Sequence, residues 1–527
     1  MAESALELQI RELKDTILQL NETVRLLTKQ LQESAAREAV QKEQIEYLTN
    51  KLFGRSSEKS SKIADGQLSL FDEAEQEADP EEPEPALETK VREHTRKAKQ
   101  TYREKLCGIP VEEVVIGIPE EDRICPECGS RMEPIGNCFI RNELQYIPAQ
   151  VKLFRYMGTH CSCPECRKRG ETTILKPEIS PALMNHSLAS PSSVAWTMYQ
   201  KYANGLPLYR QEKDWKQYGV ELSRTTLANW IIQCGKQYFE PVYDYFHRKL
   251  LERKFVMADE TRVQVLKEPG RTAEAQSFMW LFRSGEDEEH PIILYKYAPT
   301  RSGMVPEEFL KGFSGYLECD GYGGYNHLPD IRRCACYAHI RRYFADAIPK
   351  GSEKDLSDPA VQGVKYCNEL FECERRAKEL SFEQRKEYRL KHAKPVIDAF
   401  AGWLGKQAPA AGSRLDKAVK YTLRQEKYLY TYLEDGRCSL SNNLSENSIR
   451  PFTVGRKNWL FSDSVKGAEA SSIVYTMVEM AKANNVSVFH YLNYLLYCRP
   501  ELGMTDEEYE SLAPWSPEAK AFCSSSH

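Results

Sequence analysis

Apolar residues recur every seventh position along the first part of the chain, with Ile10, Ile17, Val24 and Leu31 on one seam and Leu6, Leu13, Leu20 and Leu27 on the other. β-Branched residues on one seam and leucine on the other predict a parallel two-stranded coiled coil. The seam weakens through Ser34, Glu38 and Gln41 before Ile45, Leu48 and Leu52 restore it, so a helical hairpin within one chain is the competing arrangement. Periodicity is then lost, and residues 73–85 are acidic and proline-rich, the composition of a disordered linker. Strand-like alternation enters at 143–156, and 181–240 is helical in pattern. Within the latter, 212–235 has the outline of a helix-turn-helix, with a glycine at the turn, Ser223 as N-cap, and Arg224, Thr225, Thr226, Asn229 and Trp230 on the second helix; a plain helical hairpin has the same outline.

The period then changes from 3.6 to 2. Residues 254–259 (KFVMAD), 278–283 (FMWLFR) and 292–297 (IILYKY) predict three strands, the first ending in Asp259. A helix over 302–313 and a fourth strand over 315–319 follow, the strand stopping at Asp320. Three strands, a helix and another strand form the order of a ribonuclease-H-like sheet, in which the first and fourth strands are neighbours and Asp259 faces Asp320. Residues 358–435 are charged and helical and read as an insertion, and a short helix starting near Asn443 carries Glu446. Helices over 468–483 and 487–498 close the chain, the first with a stripe of Ile473, Val474, Met477, Val478 and Ala481 suited to core packing.

The predicted fold class is therefore multidomain α+β. Its parts are a coiled coil at 1–55, an acidic linker and basic arm at 56–106, a ribbon-like zinc module at 107–176 and a helix-turn-helix region at 177–250. A ribonuclease-H-like α/β core follows at 251–465, with a helical insertion at about 350–437, and a helical region at 466–527 ends the chain.

The net charge of −5 does not suggest a nucleic-acid binder, yet charge is segregated: 72–88 holds nine acids and no base, and 90–105 seven bases and two acids. Arg96, Lys97 and Lys99 lie in that basic arm, which is either a solvated tail or a phosphate-contacting segment. The absence of a signal peptide pattern or a long apolar run places the expected location in the cytoplasm. There, 16 cysteines are thiols or metal ligands.

Four of those cysteines form two near-identical knuckles, Cys125-Pro-Glu-Cys128 and Cys163-Pro-Glu-Cys166. Two such pairs suit one tetrahedral structural zinc, with His160 and Cys161 as spare ligands and a redox pair as the competing reading. The other chemical centre is 439–462 (SLSNNLSENSIRPFTVGRKNWLFS), where Glu446 is followed by Arg450, Arg456 and Lys457. An acid among bases suits a divalent metal beside a polyphosphate backbone; alternatively Asn443 and Glu446 form a capping box. Asp259 and Asp320 are each ordinary strand-end acids when taken alone. His339, with Arg341 and Arg342 nearby, either serves that site as a proton carrier or phosphate donor, or is a packed structural histidine.

LFGRSSEKS after a leucine heptad, the paired CPEC knuckles, KYANGLPLYRQE, VELSRTTLANW, ADET, CDGYGGYNH and NNLSENSIRPFTVGRKNWLFS occur in this order, and over nearly the whole chain the sequence resembles the large transposases of insertion-sequence family sixty-six. That resemblance implies a DDE transposase in which Asp259, Asp320 and Glu446 bind two Mg²⁺ (or Mn²⁺) ions, and Cys125, Cys128, Cys163 and Cys166 bind zinc. It implies as partners the terminal inverted repeats and target DNA, a second copy of the chain through the coiled coil, and small companion proteins, in the nucleoid of a bacterial cell. Ser441 and Asn447 depart from the pattern, where an acid and an arginine are common; the second removes one phosphate contact. A nuclease of the same fold that does not join strands, and an inert dimeric DNA-binding regulator, are the competing functions.

Overall fold

A computed structural model describes residues 22–25, 151–157, 161–162, 174–175, 181–285, 290–349 and 355–524. The chain divides into two units, Ser57–Tyr156 and the remainder; of the smaller unit only 151–156 is described, as exposed chain without regular secondary structure. Of the predicted coiled coil, 22–25 is described and is helical. The rest of that element, the acidic linker, the basic arm with Arg96, Lys97 and Lys99, and the four knuckle cysteines lie outside the described residues. Beside the second knuckle, Cys161–Ser162 pairs antiparallel with Ile174–Leu175.

The larger unit opens with helices α1 (Pro191–Tyr202), α2 (Leu208–Gln217), α3 (Arg224–Cys234) and α4 (Glu240–Leu251), the last two joined by a π-helical turn at Gly235–Phe239. Ser190 caps α1 in a reciprocal capping box with Ser193, and Ser223 caps α3 by accepting from the Thr226 amide at 3.1 Å. Gly219 supplies the left-handed turn, φ +76°, between α2 and α3.

Strands β1 (Phe255–Lys267), β2 (Gln276–Ser284) and β3 (Ile293–Ala298) form an antiparallel meander. After the short helix α5 (Met304–Phe309), β4 (Gly315–Cys319) and β5 (Ile331–Ala335) add parallel strands on the far side of β1, giving the order β3-β2-β1-β4-β5. β1 does not end at Asp259 as expected. It runs on through Val263 and Val265, which alternate into the core, and it stays paired with β2 as far as Gln264, so the acid lies mid-strand. The expected helix at 302–313 is shorter, and β5 was not anticipated because Arg332 and Arg333 interrupt its apolar run.

Helix α6 (Tyr337–Ala347) leads into the insertion, α7 (Pro359–Ala377), α8 (Phe382–His392), α9 (Lys394–Leu404) and α10 (Arg414–Gln425). Helix α11 (Asn443–Trp459), strand β6 (Ser462–Ser464) parallel to the distal part of β1, and helices α12 (Val465–Ala483), α13 (Val488–Cys498), α14 (Asp506–Leu512) and α15 (Pro517–Ser524) complete the chain.

Alternation along β1 divides the core in two. Val256 and Ala258 join a cluster with α1, α3, α4, α12 and α13, whereas Phe255 and Met257 join a second cluster with the insertion helices. The edge strand β3 is covered by α12, whose Thr476 hydroxyl accepts from the Tyr295 amide at 2.9 Å and whose Met480 sulfur accepts from the Ile293 amide. In the insertion, buried Arg389 donates to both Glu374 oxygens and to the carbonyls of Tyr432, Asp435 and Cys438. Those bonds fix the segment that delivers the chain into α11.

Candidate active site

Asp259 sits on the insertion side of β1, the face shared by Phe255 and Met257. The parallel register aligns Met257 with Glu318, and two further residues set Asp259 opposite Asp320 just beyond the end of β4. Neighbouring strands lie about 4.8 Å apart, so the two acids are adjacent. Asp320 is held in an Asx turn, its Oδ1 accepting from the Tyr322 amide at 2.9 Å, while its carbonyl accepts from buried Arg333.

Glu446 arrives from the other end of the insertion, in the first turn of α11. The residue before that helix, Asn442, is fully buried and donates from Nδ2 to the carbonyl of Ala258 at 3.1 Å, one residue before Asp259. Its Oδ1 accepts from Ser445, and its backbone amide donates to Cys336 Sγ. No side-chain cap forms at the start of α11, so the capping-box alternative for Asn443 and Glu446 is not what this turn does. The helix is further tied to the sheet by buried Arg283 of β2, which donates to Ser448 Oγ and the Leu444 carbonyl, and by Tyr295 of β3, which donates to the Ser448 carbonyl.

Basic side chains surround the acids. His339 Nε2 lies 3.5 Å from Glu446 Oε1 and Arg342 Nη2 lies 3.5 Å from Oε2. These residues are three apart on α6 and share a face. Arg341 turns away and donates to Asn368 at 2.7 Å, so Arg342 is the guanidinium at Glu446. On the other side Arg301 pairs with Glu260 and stands 3.7 Å from Asp320 Oδ2. Glu260 also accepts from Tyr325, which satisfies both of its oxygens.

The electrostatics agree with the geometry. Burial pushes Asp259 well above the usual carboxylate range, reinforced by the charges of Glu260, Asp320 and Glu446. Glu260 is also raised, by burial and by Asp320, against the opposing pull of Tyr325 and Arg301. Accumulated negative charge of this kind is relieved by a cation. Glu446 Oε1 is buried without a hydrogen-bond partner, an oxygen suited to a metal. Hard carboxylate oxygens that repel one another fit a divalent ion in type. Among the described residues, however, no three His, Cys, Asp or Glu side chains are close enough as they stand to form one ligand set.

The predicted DNA-contacting residues fall in two places. Arg450 is exposed one turn past Glu446, and Arg456 lies half-buried with Nη1 3.3 Å from the hydroxyl of Thr261, two residues beyond Asp259. Burial and Arg262 lower the Arg456 pKa. Lys457 is half-buried. Arg224, Thr225 and Asn229 form an exposed face of α3, while Trp230 is buried and donates to Ser187 Oγ at 2.9 Å. A cavity of about 660 Å³ lined by Tyr243, His247, Arg271, Lys296, Tyr297 and Phe309 contains none of the three acids.

Sequence reasoning missed Asn442, Arg283 and Arg301. Their role is visible only once distant strands are paired; the single available signal was the doubled asparagine ahead of Glu446, which also looks like a cap.

Acids gathered on one face of a mixed sheet and ringed by imidazole and guanidinium groups define a nucleic-acid-acting enzyme, since the cations suit the phosphates that flank a reacting one. The chain belongs to the transposase IS66 family: the model described as "Transposase IS66 family" matches residues 186–470, more than half of the chain. "Zinc-finger binding domain of transposase IS66" matches 122–167, which spans all four knuckle cysteines, and "Transposase C of IS166 homeodomain" matches 41–114. The chain is also similar to three proteins of Sinorhizobium fredii. "Uncharacterized protein y4qI" is 29% identical over 67% of both chains. "Uncharacterized protein y4jD" is 27% identical over 76% of this chain and 79% of its own, and "Uncharacterized protein y4hP" 27% over 84% and 82%. Among the described residues no helix is long and apolar enough to cross a membrane.

Proposed function

We propose that this protein is a DNA transposase that binds the terminal inverted repeats of its element and carries out metal-dependent strand cleavage and strand transfer at Asp259, Asp320 and Glu446. The observation that carries the reading is the convergence of these acids, remote in sequence, on the insertion side of β1. The strand order β3-β2-β1-β4-β5, antiparallel then parallel, supports a ribonuclease-H-like core interrupted by a helical insertion.

The three carboxylates would hold two Mg²⁺ or Mn²⁺ ions, which supply activation of the attacking oxygen and stabilisation of the leaving 3′ oxygen. The chain's own groups do the rest. His339 and Arg342 orient Glu446 and limit its repulsion of Asp259. Arg301 neutralises Glu260 and steadies Asp320. Arg450 and Arg456 would grip phosphates flanking the scissile one. The exposed face of α3, with Arg224, Thr225 and Asn229, would read the terminal repeats as the second helix of a helix-turn-helix. Cys125, Cys128, Cys163 and Cys166 would bind one structural zinc, the basic arm would track the backbone, and the coiled coil would pair two copies so that both ends are held together. Companion proteins of the element and a nucleoid location follow from the same reading.

Purified protein on labelled element ends tests this. Asp259→Asn, Asp320→Asn and Glu446→Gln should each lose cleavage with Mg²⁺ while retaining end binding. Cleavage without joining of a pre-cut end identifies a nuclease, and binding unaffected by all three changes in a wild type that never cleaves identifies an inert regulator.

A further inference from the structure

One side of helix α10 presents a row of cations. Lys417, Lys420 and Arg424 are exposed, Lys420 pairing with Asp416 at 2.8 Å while keeping 58% of its side chain exposed. At 100° per residue, Lys417, Arg424 and Lys420 lie roughly 40°, 60° and 100° round the helix from Tyr421, all to the same side. Ala418, Val419, Thr422 and Gln425 occupy the buried remainder. From 414 to 427 the segment holds five cations and two acids.

The row is anchored beside the candidate active site. Tyr421 packs so closely on Gly321 that a Cβ there would lie 2.5 Å from its ring, and Gly321 follows Asp320 directly. Buried Arg333 joins the two elements, donating to the Asp320 carbonyl and to Gln425 of α10. Tyr421 is in turn stacked on Tyr343, with centroids 4.3 Å apart and planes 26° from parallel. Tyr343 is 40% exposed and follows Arg342, the partner of Glu446. An outward aromatic at the mouth of an acidic site, backed by a second ring and continued by cations, has the make-up of a surface for unpaired nucleic acid.

Resting on the transposase reading above, we infer that α10 and the Tyr343–Tyr421 pair bind the DNA strand adjoining the scissile phosphate, with the base next to that phosphate unpaired and stacked on Tyr343. Lys417 and Arg424 are seven residues apart, about 10 Å along the helix, which matches the axial length of roughly three nucleotides. Three cations along that length are positioned for successive phosphates, and the insertion thereby becomes part of the DNA path.

The test uses the full chain and element ends that are either fully paired or mispaired at the nucleotide beside the cleavage point. Wild type should prefer the mispaired end by about 5- to 100-fold. Tyr343→Ala should lose that preference, and Tyr343→Phe should keep it. Combined Lys417→Gln, Lys420→Gln and Arg424→Gln should reduce the salt slope of binding by about 2 to 3, at roughly 0.9 per phosphate contact. The charge-preserving set Lys417→Arg, Lys420→Arg and Arg424→Lys should keep the wild-type slope. In unmodified protein, light-driven crosslinking from 5-bromodeoxyuridine at that nucleotide should map to Tyr343 by mass spectrometry. An unchanged slope, a preference that survives Tyr343→Ala, or a crosslink mapping away from α6 and α10 overturns the inference. Each of those results can occur in a wild type that binds and cleaves normally, whereas a wild type that neither binds nor cleaves element ends removes the underlying function as well.

Discussion

Asn442 makes no contact with substrate in the proposed reaction, yet it ties the strand that carries Asp259 to the helix turn that carries Glu446. Its Nδ2 donates at 3.1 Å to the carbonyl of Ala258, the residue before Asp259, and its own carbonyl accepts from the amide of Glu446 at 3.1 Å. Replacing it with alanine leaves a buried carbonyl unsatisfied and removes the partner of Ser445. Ser445 retains its second bond, to the Asn442 carbonyl at 2.9 Å, so one orphaned group dominates the cost. That cost is about 1–3 kcal/mol, which for a unit of this size lowers the melting temperature by only about 1–2 °C per kcal/mol. The larger effect is positional. With the tie cut, the first turn of α11 is free to drift relative to β1, and displacement of a reacting group by about 1 Å costs on the order of 10²-fold in rate. Asn442→Asp should do worse than alanine, because an ionised oxygen would face the Ala258 carbonyl. The assay is Mg²⁺-dependent cleavage of a labelled element end alongside a thermal melt of each variant. Asn442→Ala that melts several degrees lower yet cleaves within twofold of wild type would refute the positioning argument and leave Asn442 a core residue only.

Two buried acids set a pH dependence. Burial and its acidic neighbours push Asp259 well above the normal range, and burial pushes Glu318 well above it against the opposing charges of Arg333 and Arg389. Both favour the protonated form in the folded state, so their contribution to stability is complete below the unfolded values, about 3.9 and 4.3, and is lost as pH rises through the folded ones. The melting temperature of Glu318→Gln minus that of wild type should therefore grow between about pH 4 and pH 8, and Mg²⁺ should raise the wild-type melt more at the upper end; a difference that shrinks with pH contradicts this. Arg301→Ala removes the pairing to Glu260 and Asp320. Arg301 is 41% exposed but Glu260 only 1%, so the change leaves a buried carboxylate oxygen without its partner; the stability lost should be about 1–3 kcal/mol, while the gain in melting temperature on adding Mg²⁺ should increase. Elemental analysis of the purified chain should find one zinc, lost in the double variant Cys125→Ser, Cys166→Ser; a zinc content that survives that change excludes the paired knuckles as the site.

What the sequence disclosed depended on whether the signal was local. Strands β1 to β4 announce themselves through short apolar runs, and Ser223 is followed by the helix it caps, so both could be placed from neighbouring residues. β5 escaped because its Arg332 and Arg333 look like surface residues, whereas the fold buries Arg333 against Cys319, Asp320 and Gln425. That burial is tolerable because all three partners are met at once, and bringing Cys319, Asp320 and Gln425 together takes both the pairing of β4 with β5 and a helix 92 residues further on. The same holds for the acids. Asp259 next to Asp320 follows from a strand order that the pattern suggested, but the placement of Glu446 depends on Asn442 reaching Ala258, on Arg283 reaching Ser448, and on Arg389 gathering the carbonyls ahead of α11. Each of these is a buried polar group whose desolvation is offset by a partner far along the chain. The insertion is thus not a passenger between the second and third acids. It supplies most of the second core cluster and the brace of Arg389, while His339 and Arg342 on the preceding helix α6 meet Glu446 directly, so the position of Glu446 is set as much by those helices as by the sheet.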